Sequence, residues 1–377
     1  NLKLNKKRTI STILGITLSV ALICAVSTLI TSFQKTLVQN AINETGNYHL
    51  KLSNVTDDNI NELKNNRDIK EIYSVKTIGH AILENGKNLF KPYLEVYSMD
   101  ESIFKKLSFN LVKGRFPNNS NELIISEHIK TNGKVEYNIG DKIKLNIGDR
   151  KTLDNYTLYS SNPFEKDSEK LDSLKEYEFT IVGIIKRPDN SFEDYSNPGY
   201  TVITTSINQG TKDTYVTLKN PASHKTSISQ ILGINNYTNI SEDDYKIIKY
   251  DSFFINRELL RWEVFAFSDS TVAMLFYVGA IVIFIILFTS IFCIRNSFAI
   301  ATTEKIKMYG MLASIGATKK QIKKNVILEA FLQGIIGIPI GIISGILAIF
   351  ILIKIVNILL GDAILRYVDG IILNISI

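Results

Sequence analysis

Residues 307–325 read KMYGMLASIGATKKQIKKN, with two glycines and five lysines, a composition that could in principle hold a phosphate. A phosphate-binding loop needs glycine, four residues, then Gly-Lys-Ser/Thr, because backbone N–H groups cradle the phosphates while the lysine reaches the terminal ones. Here Gly310 and Gly316 are separated by five residues, Ala317 stands in the lysine's place, and no strand pattern precedes them. Nucleotide binding is not expected of this segment. The four histidines, His49, His80, His128 and His224, lie far apart, and no pair has metal-ligand spacing. They are expected to be solvated or locally bonded. The sequence holds no HExxH helix, no nucleophile elbow and no legible acid pair. No catalytic residue, no metal and no cofactor of its own is expected in this chain.

The elements that carry the 307–325 segment are set by charge. No ionisable side chain except Cys24 lies between Arg8 and Lys35, none except Tyr277 and Cys293 between Asp269 and Arg295, and none between Glu329 and Lys354. Each gap exceeds the roughly 20 apolar residues that cross a hydrocarbon core of about 30 Å. Three membrane spans follow, over residues 9–33, 271–294 and 326–353, the last continuing as far as residue 360. The first is too long for the apolar core of a secretory signal and no small-residue cleavage site follows it, so it is read as an uncleaved anchor.

Lysines and arginines in short loops orient the spans. Residues 1–8 carry four basic residues and no acid; residues 295–325 carry Arg295, Lys305, Lys307, Lys319, Lys320, Lys323 and Lys324 against Glu304 alone. Both segments are expected in the cytoplasm of a plasma-membrane protein, with residues 34–270 outside. That outer segment has 30 basic and 33 acidic residues, so the chain's net charge of +6 is a topology signal and leaves no basic stripe for nucleic acid. Cys24 and Cys293 fall at different depths in two spans and are expected to stay unpaired; the outer segment, without cysteine, must rely on its own core. Residues 361–377 read as a short outer stretch leading to a fourth span beyond residue 377.

The fold class expected is an α-helical membrane protein with a mixed α/β extracytoplasmic domain between its first two spans. Within that domain residues 32–42 continue the first span as helix. Strands are expected at 72–83 and 89–97 around an Asn85-Gly86 type I′ turn, at 122–126, 142–146, 177–185, 215–218 and 245–250. Residues 149–176 read as a charged projecting loop or hairpin, and 256–267 as a helix leading into the second span. In the third span, Gly334, Gly337, Gly341 and Gly345 form a small-residue series suited to close helix packing, and Pro339 is expected to kink it.

Within 307–325, Lys319, Lys320, Lys323 and Lys324 can each gain about 1 kcal/mol from an anionic leaflet. That does not account for Met308, Tyr309, Met311, Leu312 and Ile315, an apolar patch in a water-facing loop, which points to a protein contact. Both readings stand on the residues alone. Thr302 or Thr303 is expected to cap a short helix through Met311, lying flat under the bilayer. Gly316 is its stop and Thr318 the cap of the next helix.

Asn296-Ser297-Phe298-Ala299-Ile300, Glu304-Lys305, Gly310-Met311-Leu312, Ser314 through Ile322, and Glu329-Ala330 with Gly334 together resemble the signature of the FtsX-like permease family, the membrane subunits of MacB-type ABC transporters. The outer segment is similar to the family's MacB-like extracytoplasmic domain in Gly46-Asn47-Tyr48-His49, Leu111, Gly114-Arg115-Phe116-Pro117, Asn121-Glu122, Ile139-Gly140-Asp141, Phe179 through Gly183, and Asn256 with Leu259-Leu260. Met308 stands where the family often has an acid and Ala313 where it often has a base. The resemblance implies a permease subunit that pairs with a second copy or a paralogue. It would dock a cytoplasmic ABC ATPase, which carries the ATP and magnesium, through Glu304, Lys307, Met308, Tyr309, Gly310, Met311, Leu312, Gly316, Ala317, Thr318 and Gln321. Movement would pass to the outer domain, for export, extraction or detoxification of a peptide or lipid-like substrate. Two alternatives remain at this level: a membrane-anchored extracellular sensor or scaffold, and an ATPase-coupled activator of cell-wall hydrolases.

Overall fold

A computed structural model describes residues 6–188, 192–194, 196–208, 210–264 and 270–364; the side chains of residues 6–8, of several residues between 271 and 312, and of 360–364 lie outside the description. In chain order the elements are α1 (Lys6–Thr45), β1 (Leu50–Ser53), α2 (Asp57–Lys64), β2 (Ile69–Ile82), β3 (Tyr93–Ser98), α3 (Glu101–Lys106), β4 (Leu111–Gly114), β5 (Glu122–Ser126), α4 (His128–Thr131), β6 (Lys142–Thr152), β7 (Glu169–Ile185), β8 (Gly199–Thr204), β9 (Thr211–Leu218), α5 (His224–Leu232), α6 (Glu242–Ile247), β10 (Ser252–Ile255), α7 (Arg257–Val264), α8 (Ser270–Ser314) and α9 (Lys319–Ile364). They divide into two units, one holding residues 1–40 and 265–377, the other residues 41–264.

Among the described residues three segments are long and apolar enough to cross a membrane, Thr9–Thr45, Val272–Phe292 and Lys319–Leu359. Each helix outruns the apolar gap from which it was expected, because nothing at the gap's edge stops it. Pro339 lies inside α9. The helix expected to start at Thr302 or Thr303 does not exist: both threonines sit within α8, which continues unbroken to Ser314. No proline interrupts residues 295–314, and Gly310 alone, at about 1 kcal/mol relative to alanine, does not break a helix. The stretch expected at 361–377 falls largely on residues 365–377, outside the description.

The other unit is a mixed sheet in the order β10-β1-β9-β2-β3-β8-β5-β7-β4, with β6 pairing β7 and touching β2 at His80↔Gly148. The β3–β8 and β5–β7 pairs are parallel and the others antiparallel. Every residue of the central strands β3 and β8 is buried, the polar Glu95, Ser98, Thr201 and Thr204 included, because both faces are covered. Leu63 of α2 and Ile228, Ile231 and Leu232 of α5 pack on Leu50, Leu52 and Val216. On the neighbouring strands Leu94, Leu123, Ile181 and Val202 form a second core. Each such leucine or isoleucine contributes about 1.5–3 kcal/mol relative to exposure, which supports a domain without disulfides.

Three expectations for this unit need correction. β2 and β3 do pair, but Ile82 opposes Tyr93, so the connection spans residues 83–92 and is no two-residue turn. Asn85 has φ 62 while Gly86 is not left-handed, which rules out type I′, and Leu89 and Phe90 are exposed in the loop. Residues 245–250 are not a strand: Ser241 and Asp244 make a capping box that starts α6, and β10 follows at Ser252. Residues 149–176 do form a hairpin, but one whose strands run to Thr152 and Glu169 and whose tip is held by a buried ion pair.

Candidate functional site

In the α8–α9 turn, each helix end is built by local chemistry. The Ile315 N–H donates to Met311 O at 3.3 Å and the Gly316 N–H to Ala313 O at 3.1 Å, and Gly316 at φ +96° takes the left-handed backbone that ends α8. Two residues on, the Thr318 N–H donates to Gln321 Oε1 at 2.9 Å and the Gln321 N–H to Thr318 Oγ1 at 3.4 Å. That reciprocal pair is a capping box and starts α9 at Lys319. Gly316 and Thr318 thus act as the stop and the cap expected of them, and Gln321 has a local partner.

Of the other residues picked from sequence, Gly310 and Met311 are exposed and Tyr309 and Ala317 half-buried. A Cβ placed on Gly310 would meet no heavy atom within 4 Å. Ile306, Met311 and Ile315 project as exposed apolar side chains, Ile315 at 81 % exposure. Lys319, Lys320, Lys323 and Lys324 are exposed on the first turns of α9. The side chains of Glu304, Lys307, Met308 and Leu312 lie outside the described residues.

Three of the four span glycines meet α1. A Cβ on Gly337 would stand 2.9 Å from Ile16 Cγ2, on Gly341 2.7 Å from Val20 Cβ and 2.8 Å from Thr17 O, and on Gly345 2.6 Å from Ala21 O. Thr17 Oγ1 donates to Gly337 O at 3.2 Å across this contact, and Cys24 Sγ lies 3.8 Å from Ile342 O. Gly334 does not belong to the series, since its Cβ would meet only Ile338 of its own helix, at 3.8 Å. Thr17 and Ala21, small residues four apart on α1, were the complementary signal in the sequence.

In the outer unit three of the four histidines are locally bonded; His49 and His80 are buried, His128 and His224 half-buried. His49 Nε2 lies 2.6 Å from Glu263 Oε2, and its Nδ1 accepts the Leu218 N–H at 2.8 Å. His128 Nδ1 lies 2.7 Å from Glu193, and His224 Nδ1 2.9 Å from Pro221 O. His80 Nε2 has no hydrogen bond and stands 3.8 Å from the buried Glu95 carboxylate; burial pushes its pKa down, against the pull of Glu95. Among the described residues no group of three His, Cys, Asp or Glu side chains could hold a metal ion.

Sequence reasoning missed two arrangements in this unit. Arg150, fully buried, donates from Nη2 and Nε to Glu169 at 2.7 and 3.0 Å and from Nη1 to Tyr159 O and Asn162 O at 3.1 Å, so it gathers the hairpin tip around itself. It falls in the stretch read from sequence only as a charged projecting loop or hairpin. Asn256, matched in sequence only as part of a stalk, ties α7 to the last turn of α1.

Comparison with known proteins gives a consistent set of likenesses. The family pattern described as MacB-like periplasmic core domain matches residues 9–234, and that described as FtsX-like permease C-terminal matches residues 280–377. The ABC transporter permease YtrF of Bacillus subtilis (strain 168) is 25 % identical over 373 residues, covering 91 % of this chain and 80 % of that protein. Two solved structures are similar at low identity. The periplasmic region of MacB from Actinobacillus actinomycetemcomitans has 12 % identity and TM-score 0.32, over 57 % of this chain and 92 % of that one. The extracellular domain of the ABC-type transporter YknZ from Gram-positive bacteria has 9 % identity and TM-score 0.30, over 55 % and 98 %.

Proposed function

The chain belongs to the FtsX-like, MacB-type family of ABC transporter permeases, and from that premise we propose that it couples a separate cytoplasmic ATPase to its extracytoplasmic domain. A permease of this family implies a partner ATPase, and the surface we assign to it is the end of α8, the turn at 315–318 and the first turns of α9. The observation that carries this is that Met311 and Ile315, one turn apart, are apolar and exposed past the end of the uncharged run of α8, as is Ile306 before them. Such a patch beside water favours a protein partner, while the α9 lysines suit the anionic inner leaflet.

ATP binding and hydrolysis on the partner would displace the α8–α9 turn, and stiff helices would carry the displacement outward. The spans carry no Asp, Glu, Lys or Arg in mid-membrane, which argues against a polar conduction path. The work is therefore assigned to the outer domain, as export, extraction or detoxification of a peptide or lipid-like substrate by a dimer of this chain or of this chain and a paralogue. The N-terminus and the α8–α9 turn would face the cytoplasm, as the short-loop lysines and arginines direct.

Gly310→Trp tests the docking surface, since a side chain can leave the helix there with no heavy atom within 4 Å of its Cβ. The full-length wild-type chain should co-purify with an ABC ATPase, and the variant should retain it about tenfold less or worse, the loss of one contact worth about 1.4 kcal/mol. A variant that binds the ATPase and works as the wild type does would end the assignment.

A further inference from the structure

The outer unit is entered by the last turn of α1 and left by α7, and one side chain touches both. α1 stops at Gly46, whose backbone at φ +93° is left-handed and whose N–H donates to Ile42 O at 2.8 Å. Asn256 precedes α7 and caps it, its Oδ1 accepting the Leu259 N–H at 3.1 Å. Its Nδ2 donates to Gly46 O at 3.2 Å and to Thr45 Oγ1 at 2.9 Å, while the Thr45 hydroxyl lies 2.6 Å from Ala41 O. The Asn256 backbone N–H donates to His49 O at 3.0 Å, and the same histidine reaches forward to Glu263 on α7 at 2.6 Å. Asn256 is 1 % exposed, so water does not compete for these bonds.

A helix cap needs only an acceptor, and serine supplies one as well as asparagine does. The donor side of Asn256, spent on a helix end 210 residues away in sequence, is surplus to capping. We propose that Asn256 is a positioning residue that fixes the outer domain's entry helix to its exit helix, so that movement arriving along α1 and α8 enters the sheet as one displacement. This inference rests on the coupling function proposed above and deepens it. His49 and Glu263 form the second point of attachment, the residue before β1 holding α7 further along its length. Without the Asn256 tie, α1 could shift against α7 and the displacement would be lost before β1 and β9.

The test uses the full-length chain in complex with its ATPase in lipid nanodiscs, reading amide hydrogen exchange with and without a non-hydrolysable ATP analogue. Asn256→Ser keeps the cap and is too short to reach Gly46 and Thr45; Thr45→Val removes the acceptor from the other side and leaves the cap untouched. In the wild type, nucleotide should change exchange at β1 and α7. In Asn256→Ser that change should fall about fivefold or more, with the ATPase still bound and hydrolysing and with protection of β3 intact; Thr45→Val should show a smaller loss of the same kind. If β3 protection also falls in Asn256→Ser, Thr45→Val decides alone. A wild-type response preserved in both variants overturns the inference and leaves the coupling function standing. A wild-type complex without any nucleotide response outside overturns the coupling function, and this inference with it.

Discussion

Gly341→Ala should loosen the contact between α1 and α9, whereas the same change at Gly334 should not. The added methyl at Gly341 would sit 2.7 Å from Val20 Cβ, 2.9 Å from Val20 Cγ1 and 2.8 Å from Thr17 O. Carbon atoms rest at about 3.5–4.0 Å, so the overlap is about 1 Å. Neither neighbour can swing aside: one is the branch point of a β-branched residue, whose χ1 is fixed in a helix, and the other is a backbone carbonyl. The helices must separate locally, at an overpacking cost of about 1–3 kcal/mol. Against this, alanine favours the helix by about 1 kcal/mol, leaving a net loss of about 1 kcal/mol. At Gly334 no contact opposes the propensity gain, since its only neighbour is Ile338 at 3.8 Å. The two substitutions should therefore differ by about 2 kcal/mol, near 30-fold in the opening equilibrium. Cys24 reports the opening, because its Cβ would lie 3.1 Å from a Gly345 methyl and its thiol is half-buried and free. In a Cys293→Ser background, a maleimide should label Cys24 about fivefold faster in Gly341→Ala than in the parent and no faster in Gly334→Ala. Equal labelling rates for the two alanine variants would refute the packing argument.

Two further outcomes concern the outer domain. Arg150→Met strands the Glu169 carboxylate, itself 1 % exposed, among the hairpin's carbonyls, and should cost about 3–5 kcal/mol, read as rapid proteolysis within residues 153–168; adding Glu169→Leu should restore most of the resistance, and failure to do so would show that the pair's charge is not what holds the tip. The Arg115 fork, aided by the Asn118 N–H, holds the Glu122 carboxyl down at about 2, below the usual carboxylate value of about 4. Because the folded pKa is the lower one, the stabilisation at the start of β5 is full above the unfolded value and is lost as pH falls through the folded one. Carboxyl-carbon NMR should follow Glu122 titrating near 2 in the wild type and within the ordinary range in Arg115→Ala, and an ordinary wild-type value would contradict the geometry.

Legibility followed the range of the interactions. The spans could be read from charge gaps, and Gly316 and the Thr318-to-Gln321 box could be read because a helix stop and a helix cap are each made within four residues. β5 was read to the residue from Glu122 to Ser126. Where two local signals competed, the reading failed. Ser241 and Asp244 announced a helix, but Tyr245, Ile247, Ile248 and Tyr250 looked like a strand, and the capping box prevailed. Thr302 and Thr303 offered a cap that an already propagating α8 had no need of, since extending a helix is easier than nucleating one.

The sequence by itself determined the family, the three spans, the expected cytoplasmic charge on the α8–α9 turn, and the stop and start signals on either side of it. Each of these is written in composition or in contacts between near neighbours. Only the tertiary structure decided which glycines of α9 face α1, that Arg150 lies inside its hairpin, and that Asn256 meets Gly46 and Thr45. Those depend on pairs separated by 9 to 320 residues, and the energy of such a pair appears only when folding brings both partners out of water together.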